Sequence, residues 1–200
     1  MISIDEFKAK LADGQQYYLM NEVLLADGAM HVTNENIEYI SQKLSSKYQI
    51  SNDNIDICIT GSAKLGFSLV EKRKKDGTIL PRYRLFSANS DIDVAIVSKA
   101  LFERVWLDLS QHAHKVTRLP WDSKKLGDYM VCGWLRPDHF PKKVRIRSCD
   151  DWSDLFWRLS ADPRFERHNV RGGLFYSREQ LSMYLNRSLS DCAIAEELRK

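Results

Sequence analysis

The chain has little that would assign a function at sight. Its four cysteines, Cys58, Cys132, Cys149 and Cys192, lie far apart with no Cys-x-x-Cys pair. This spacing fits neither a zinc framework nor a disulfide-stapled secreted domain and leaves them as reduced, buried residues. No stretch approaches the roughly 20 apolar residues of a membrane span. The opening "MISIDEFKAKL" lacks the basic-then-apolar order of a secretory leader, so a cytoplasmic protein without membrane insertion is expected. Neither sign of charge dominates, and a formal net charge of +3 names no partner. There is no Gly-x-x-x-x-Gly-Lys loop, no Ser-His-Asp spacing and no internal repeat. His112 and His114, two apart in a helical stretch, face different directions and make a poor metal pair.

What is present is an ordinary globular balance, 44% hydrophobic and 28% charged over 200 residues, enough for one core domain with a small annex. Ser3 with Glu6 forms a capping box ahead of Ile4, Phe7 and Leu11, predicting a short N-terminal helix. Ile37, Ile40, Leu44 and Tyr48 predict a second over residues 35–48. "IDICIT" alternates as a strand and stops at Gly61-Ser62, where a turn or short helix begins. "DIDVAIV" reads as the next core strand, followed by a helix carrying Leu101, Phe102, Val105, Trp106 and Leu109. Between them, "VEKRKKDGTILPRYRLF" holds Asp76-Gly77, a hairpin signal, among Lys72, Arg73, Lys74, Lys75, Arg82 and Arg84. This predicts an exposed basic insertion over 71–84. "KKVRIRS" alternates again and predicts a third core strand, with Arg145 and Arg147 on one face. Trp152, Leu155, Phe156 and Leu159 then mark a helix. Arg171-Gly172-Gly173 could form a phosphate-approach loop but reads better as a tight turn into the strand "LFYS", and Ser177 with Gln180 caps the last helix.

One arrangement carries chemistry. Side chains two apart on a strand share a face, so Asp91 and Asp93 stand side by side. Two adjacent carboxylates repel unless a cation joins them, and hard divalent ions such as Mg²⁺ or Mn²⁺ take oxygen ligands together with substrate phosphate. A Gly-Ser turn ending the neighbouring strand offers close backbone approach, N–H groups and a hydroxyl for phosphate oxygens. The pair of motifs describes a nucleoside-triphosphate site.

"GSAKLG" followed by "SDIDVAIVS" resembles the signature of the nucleotidyltransferase superfamily related to DNA polymerase beta. "GSAKLGFSL", "GWLRPDHFP" and "VRGGLFYSREQL" are also similar to a small prokaryotic branch associated with mobile elements and anti-phage defence, over residues 35–190. The resemblance implies an α/β (α+β) nucleotidyltransferase fold, a mixed sheet with helices mainly on one face. The core would span 1–150, with a C-terminal helical part, 151–200, packed on it. It implies Mg²⁺- or Mn²⁺-dependent transfer of a nucleoside monophosphate from a triphosphate to a hydroxyl acceptor. Asp91 and Asp93 would be catalytic and hold metal, while Gly61, Ser62, Lys64 and Arg145 would hold the nucleotide. Arg145 stands where the resemblance implies a third carboxylate, with Asp150 and Asp151 just beyond it. The basic insertion and the basic excess of 142–171 favour a single-stranded nucleic acid or oligonucleotide as acceptor. Two other readings stay open: a catalytically silent nucleotide- or nucleic-acid-binding regulator of the antitoxin kind, and an adenylyltransferase that modifies a protein partner encoded nearby.

Overall fold

Residues 2–74, 76–141 and 144–198 are described by a computed structural model. The elements run α1 (Ile4–Ala12), α2 (Gln16–Tyr18) leading into a π-helical segment (Leu19–Leu24), α3 (Asn34–Tyr48), β1 (Asp56–Thr60), α4 (Gly61–Leu65), β2 (Lys72–Arg73), β3 (Ile79–Leu80) and β4 (Ile92–Val97). They continue with α5 (Lys99–Ala113), α6 (Ser123–Val131), β5 (Trp134–Leu135), α7 (Arg147–Ala161), β6 (Val170–Phe175) and α8 (Arg178–Glu197). The chain is a mixed α/β protein, and its main sheet has the order β1-β4-β6-β5. β1 and β4 are antiparallel, β4 and β6 parallel, β6 and β5 antiparallel.

Alternation along the strands divides two cores. Ile92, Val94 and Ile96 face one side, where α3, α5 and α7 supply Ile40, Leu44, Leu101, Val105, Trp152 and Leu159. Cys58, Ala95 and Phe175 face the other, against Phe7, Leu19, Leu181, Leu185 and Leu189 from α1, the π-helical segment and α8. Helices therefore cover both faces of the sheet, where the sequence reading put them mainly on one. The segment 151–200 is more than a helical annex, since it contributes β6, a central strand of the sheet.

The Ser3 cap is as expected, whereas Ser177 opens α8 with its hydroxyl donated to the Gln180 side chain and no backbone N–H accepted. The Ser3 hydroxyl accepts from the Glu6 N–H at 3.1 Å and the Thr33 hydroxyl from the Asn36 N–H at 3.2 Å. The basic insertion is a hairpin: β2 pairs antiparallel with β3, and Gly77 sits at φ +84 in its turn. Its stems are tied by the Ser68 N–H to the Arg84 carbonyl and the Phe86 N–H to the Gly66 carbonyl, each 2.8 Å. Lys75 of this hairpin lies outside the described residues.

The expected third strand at "KKVRIRS" does not form. Val144 lies in a bend and Ile146 caps the start of α7, which takes in Arg147; Lys142 and Lys143 lie outside the described residues. Val144 and Ile146 mimic strand alternation, yet Ile146 is drawn into the core at the head of an amphipathic helix. The strand beside β4 is instead Val170–Phe175, which two glycines disguised as a turn. Gly172 explains why they are there. A Cβ on it would come within 2.3 Å of Phe156 Cζ and 2.5 Å of Trp152 Cζ2, so α7 packs onto bare backbone.

Gly172→Ala should therefore destabilise the fold by about 2–3 kcal/mol or prevent folding, as overpacked cores do. Gly127→Ala, in α6 with no atom within 4 Å of the added Cβ, should be neutral or stabilise by up to ~1 kcal/mol. Denaturant midpoints of the two variants check this contrast.

Candidate functional site

The ends of β1, β4 and β6 bring three residues into one row. Thr60 is in register with Asp93, and Asp93 with Arg171. Asp91, two residues before Asp93, completes the group on the face that α8 covers. A cleft of about 690 Å³ opens there, lined among others by Gly61, Ser62, Asp91, Asp93, Arg136 and Arg171. Four of the six residues expected at the site thus lie in one cleft.

Gly61 is fixed there by geometry. It has φ +63 at the junction from β1 to α4, a conformation costly for other residues. A Cβ on it would sit 3.1 Å from Asp93 Oδ2, so the glycine lets the chain turn directly against the carboxylate.

The carboxylates are unequal. Asp91 is held from two sides: the Asn169 amide donates to Oδ1 at 3.3 Å, and Arg171 Nε lies 3.3 Å from Oδ2. Asp93 keeps an open path to solvent through the cleft, but the walls strip much of its hydration. That loss and the neighbouring Asp91 charge push its pKa up, opposed by Arg136, Arg171 and Lys72. Arg136, at the end of β5, is oriented by a two-point hydrogen bond to Asp138, at 2.9 and 2.7 Å. Burial acts to raise the Asp138 pKa, but the Arg136 hydrogen bonds and charge outweigh it and hold the carboxyl below its usual range.

Two expected site residues do other work. Lys64 is 9% exposed and its ammonium donates to the carbonyls of Ala26 and Gly28, pinning the segment before α3. Burial pushes its pKa down, with Cys58 and Asp27 opposing. It is a structural cation, absent from the cleft lining. Arg145 does not line the cleft either: its side chain is 89% exposed, 3.7 Å from Asp150. Arg147 is 94% exposed and lies 3.8 Å from Asp151, which also pairs with Lys47 at 3.1 Å. Asp150 and Asp151 therefore supply no carboxylate to the cleft.

Arg136 carries no signal in the sequence, and Arg171 stands in a segment that reads as a turn before it reads as a phosphate-approach loop. Arg171 was hidden because Gly172 and Gly173 weaken strand propensity, although a glycine inside an alternating run signals close backbone approach, which is its role here. The insertion also sorts itself. Arg82 donates to the Leu69 carbonyl at 2.6 Å and Arg84 to the Leu80 carbonyl at 2.9 Å, bracing their own loop. Lys72 and Lys74 line the cleft, and Arg84 does so as well while bracing the loop.

Hard oxygen donors on one face, one of them with its negative charge disfavoured by the other, fit a divalent cation completed by phosphate and water. No group of three or more His, Cys, Asp or Glu residues able to hold a metal occurs among the described residues.

A folded pKa above the unfolded value means that ionised Asp93 costs stability above its pKa, a cost that fades as pH falls towards the unfolded value near ~3.9. Asp93→Asn should thus raise the denaturant midpoint at pH 7, and the gain should vanish below about pH 4. Asp91→Asn should lower the Asp93 pKa, read by carboxyl ¹³C titration. Lys64→Met should cost about 1–2 kcal/mol by leaving two half-buried carbonyls without their donor, checked by denaturant unfolding.

Compared with protein-family models, with curated proteins and with solved structures, the chain matches none.

Proposed function

We propose that the protein is a metal-dependent nucleotidyltransferase, transferring a nucleoside monophosphate from a nucleoside triphosphate to a hydroxyl acceptor. The observation that carries this reading is the row formed by the β1–α4 turn and β4, with Asp93 against Gly61 and beside Asp91. A Mg²⁺ or Mn²⁺ ion held by Asp91 and Asp93 would supply charge neutralisation at the triphosphate and at the attacking oxygen. Gly61 and Ser62 present backbone and hydroxyl groups at the cleft wall for phosphate oxygens. Arg136 and Arg171 place fixed positive charge where negative charge grows during phosphoryl transfer. Lys72 and Lys74, on the hairpin at the cleft rim, favour an acceptor with a phosphate backbone, such as single-stranded nucleic acid.

A specific observation also favours a second reading. Arg171 occupies the position across the sheet from Asp93 and pairs with Asp91, supplying in advance part of the countercharge that a metal would bring. That arrangement suits a nucleotide-binding regulator without transfer activity.

Incubation with Mg²⁺ or Mn²⁺ and each labelled nucleoside triphosphate, with and without an oligonucleotide acceptor, separates the two. The transferase predicts labelled products that Asp91→Asn and Asp93→Asn abolish. Nucleotide binding that survives chelation of divalent ions, without pyrophosphate release, would identify the regulator.

A further inference from the structure

The cleft has two chemically different ends. One holds Asp91, Asp93, Arg136 and Arg171; the other is aromatic and aliphatic. Trp134 on β5 and Tyr184 on α8 lie 5.3 Å apart between ring centroids, tilted by 51°, and both line the cleft. Phe175 supports them, 6.3 Å from Trp134 and 5.4 Å from Tyr184, and Tyr129 backs Trp134 at 4.2 Å. Leu181 and Leu185, one turn apart on α8, extend the apolar wall. Tyr184 is nonetheless 45% exposed, an aromatic face held open towards the cavity. The Asp93 charge contributes to the raised Tyr184 pKa after burial, so the two ends lie within electrostatic reach of each other.

We propose that Tyr184, backed by Trp134, forms the seat on which the base of a bound nucleotide stacks. This rests on the nucleotide site proposed above. An anion-binding end beside an aromatic wall selects a ligand that joins phosphates to a flat heteroaromatic ring, and a cavity of this size accepts a nucleoside triphosphate. Every base has a π face, whereas base identity is read through fixed donors and acceptors. Leu181, Leu185 and Phe175 offer none through their side chains, the hydroxyls of Tyr184 and Ser188 can rotate to give or accept, and the Trp134 indole N–H is a single fixed donor, too little to read a base edge. The seat therefore discriminates weakly among bases, and purines bind more tightly than pyrimidines through their larger stacking area.

Equilibrium binding of ATP, GTP, CTP, UTP and inorganic tripolyphosphate, in Mg²⁺, to the wild type and to Tyr184→Leu and Trp134→Leu tests this. Circular dichroism of each variant reports its folding, and Tyr184→Leu, at a half-open position, keeps the test available if Trp134→Leu fails to fold. The expected result is that all four nucleotides bind more tightly than tripolyphosphate, within about fivefold of one another. Tyr184→Leu should lower nucleotide affinity about tenfold and leave tripolyphosphate unchanged. Tripolyphosphate binding as tightly as the nucleotides, a Tyr184→Leu variant with unaltered nucleotide affinity, or one base preferred a hundredfold would each overturn the base seat while leaving the phosphate site standing. Failure to bind either nucleotides or tripolyphosphate would overturn the nucleotide site itself.

Discussion

Two carboxylates on one strand face repel, and the cleft is arranged around that repulsion. Burial raises the cost for Asp93, while Asn169 and Arg171 relieve it at Asp91. The relief depends on pairing: β6 must run parallel to β4 in the register that sets Arg171 across from Asp93. On the opposite face α7 lies close over the same strand, which Gly172 permits by presenting no side chain to Trp152 and Phe156. One strand thus carries a packing contact on one face of the sheet and part of the charge balance on the other. Period-two alternation makes the coupling strict, since a slip of one residue would turn Arg171 into the core and Gly172 towards the carboxylates.

The basic residues divide by the same logic of where a charge can be satisfied. Lys64, Arg82 and Arg84 each point at backbone carbonyls and serve as braces for irregular chain. Arg145 and Arg147 pair with α7 carboxylates in solvent, where such pairs contribute little. Arg136 and Arg171, with Lys72 and Lys74, face the cleft, which Arg84 also lines with its guanidinium already engaged by loop carbonyls. A raw count of cations near the Gly-Ser turn therefore overstates the positive field there. The sequence pattern that makes the insertion look uniformly basic conceals two structural arginines.

Strong local periodicity was legible. The capped helices, the alternating β1 and β4, the Asp76-Gly77 hairpin and the convergence of Gly61, Ser62, Asp91 and Asp93 all follow from spacing. What spacing could not settle was competition between segments for one place in the sheet. "KKVRIRS" has the alternation of a strand and "VRGGLF" the composition of a turn, yet the second is the strand. The deciding quantity is the approach distance of α7, which belongs to tertiary packing. The same limit hid Trp134, Tyr184 and Arg136, which are far from the Asp-x-Asp run in sequence and reach the cleft only because β5 pairs with the far edge of β6 and α8 crosses the sheet.

The arginine across from Asp93 has a consequence for any charged ligand. Arg171 is tethered to the sheet by a strand residue and cannot leave the cleft, so its charge is available whether or not Asp91 is otherwise occupied. A cation entering between Asp91 and Asp93 would compete with Arg171 for the Asp91 oxygens and repel it. The open direction left to the guanidinium is the cleft itself, where phosphate oxygens would lie. Binding of metal and of phosphate would therefore favour each other through one side chain, a coupling that must act reciprocally. Asn169, uncharged, donates to the other Asp91 oxygen and would feel no such repulsion.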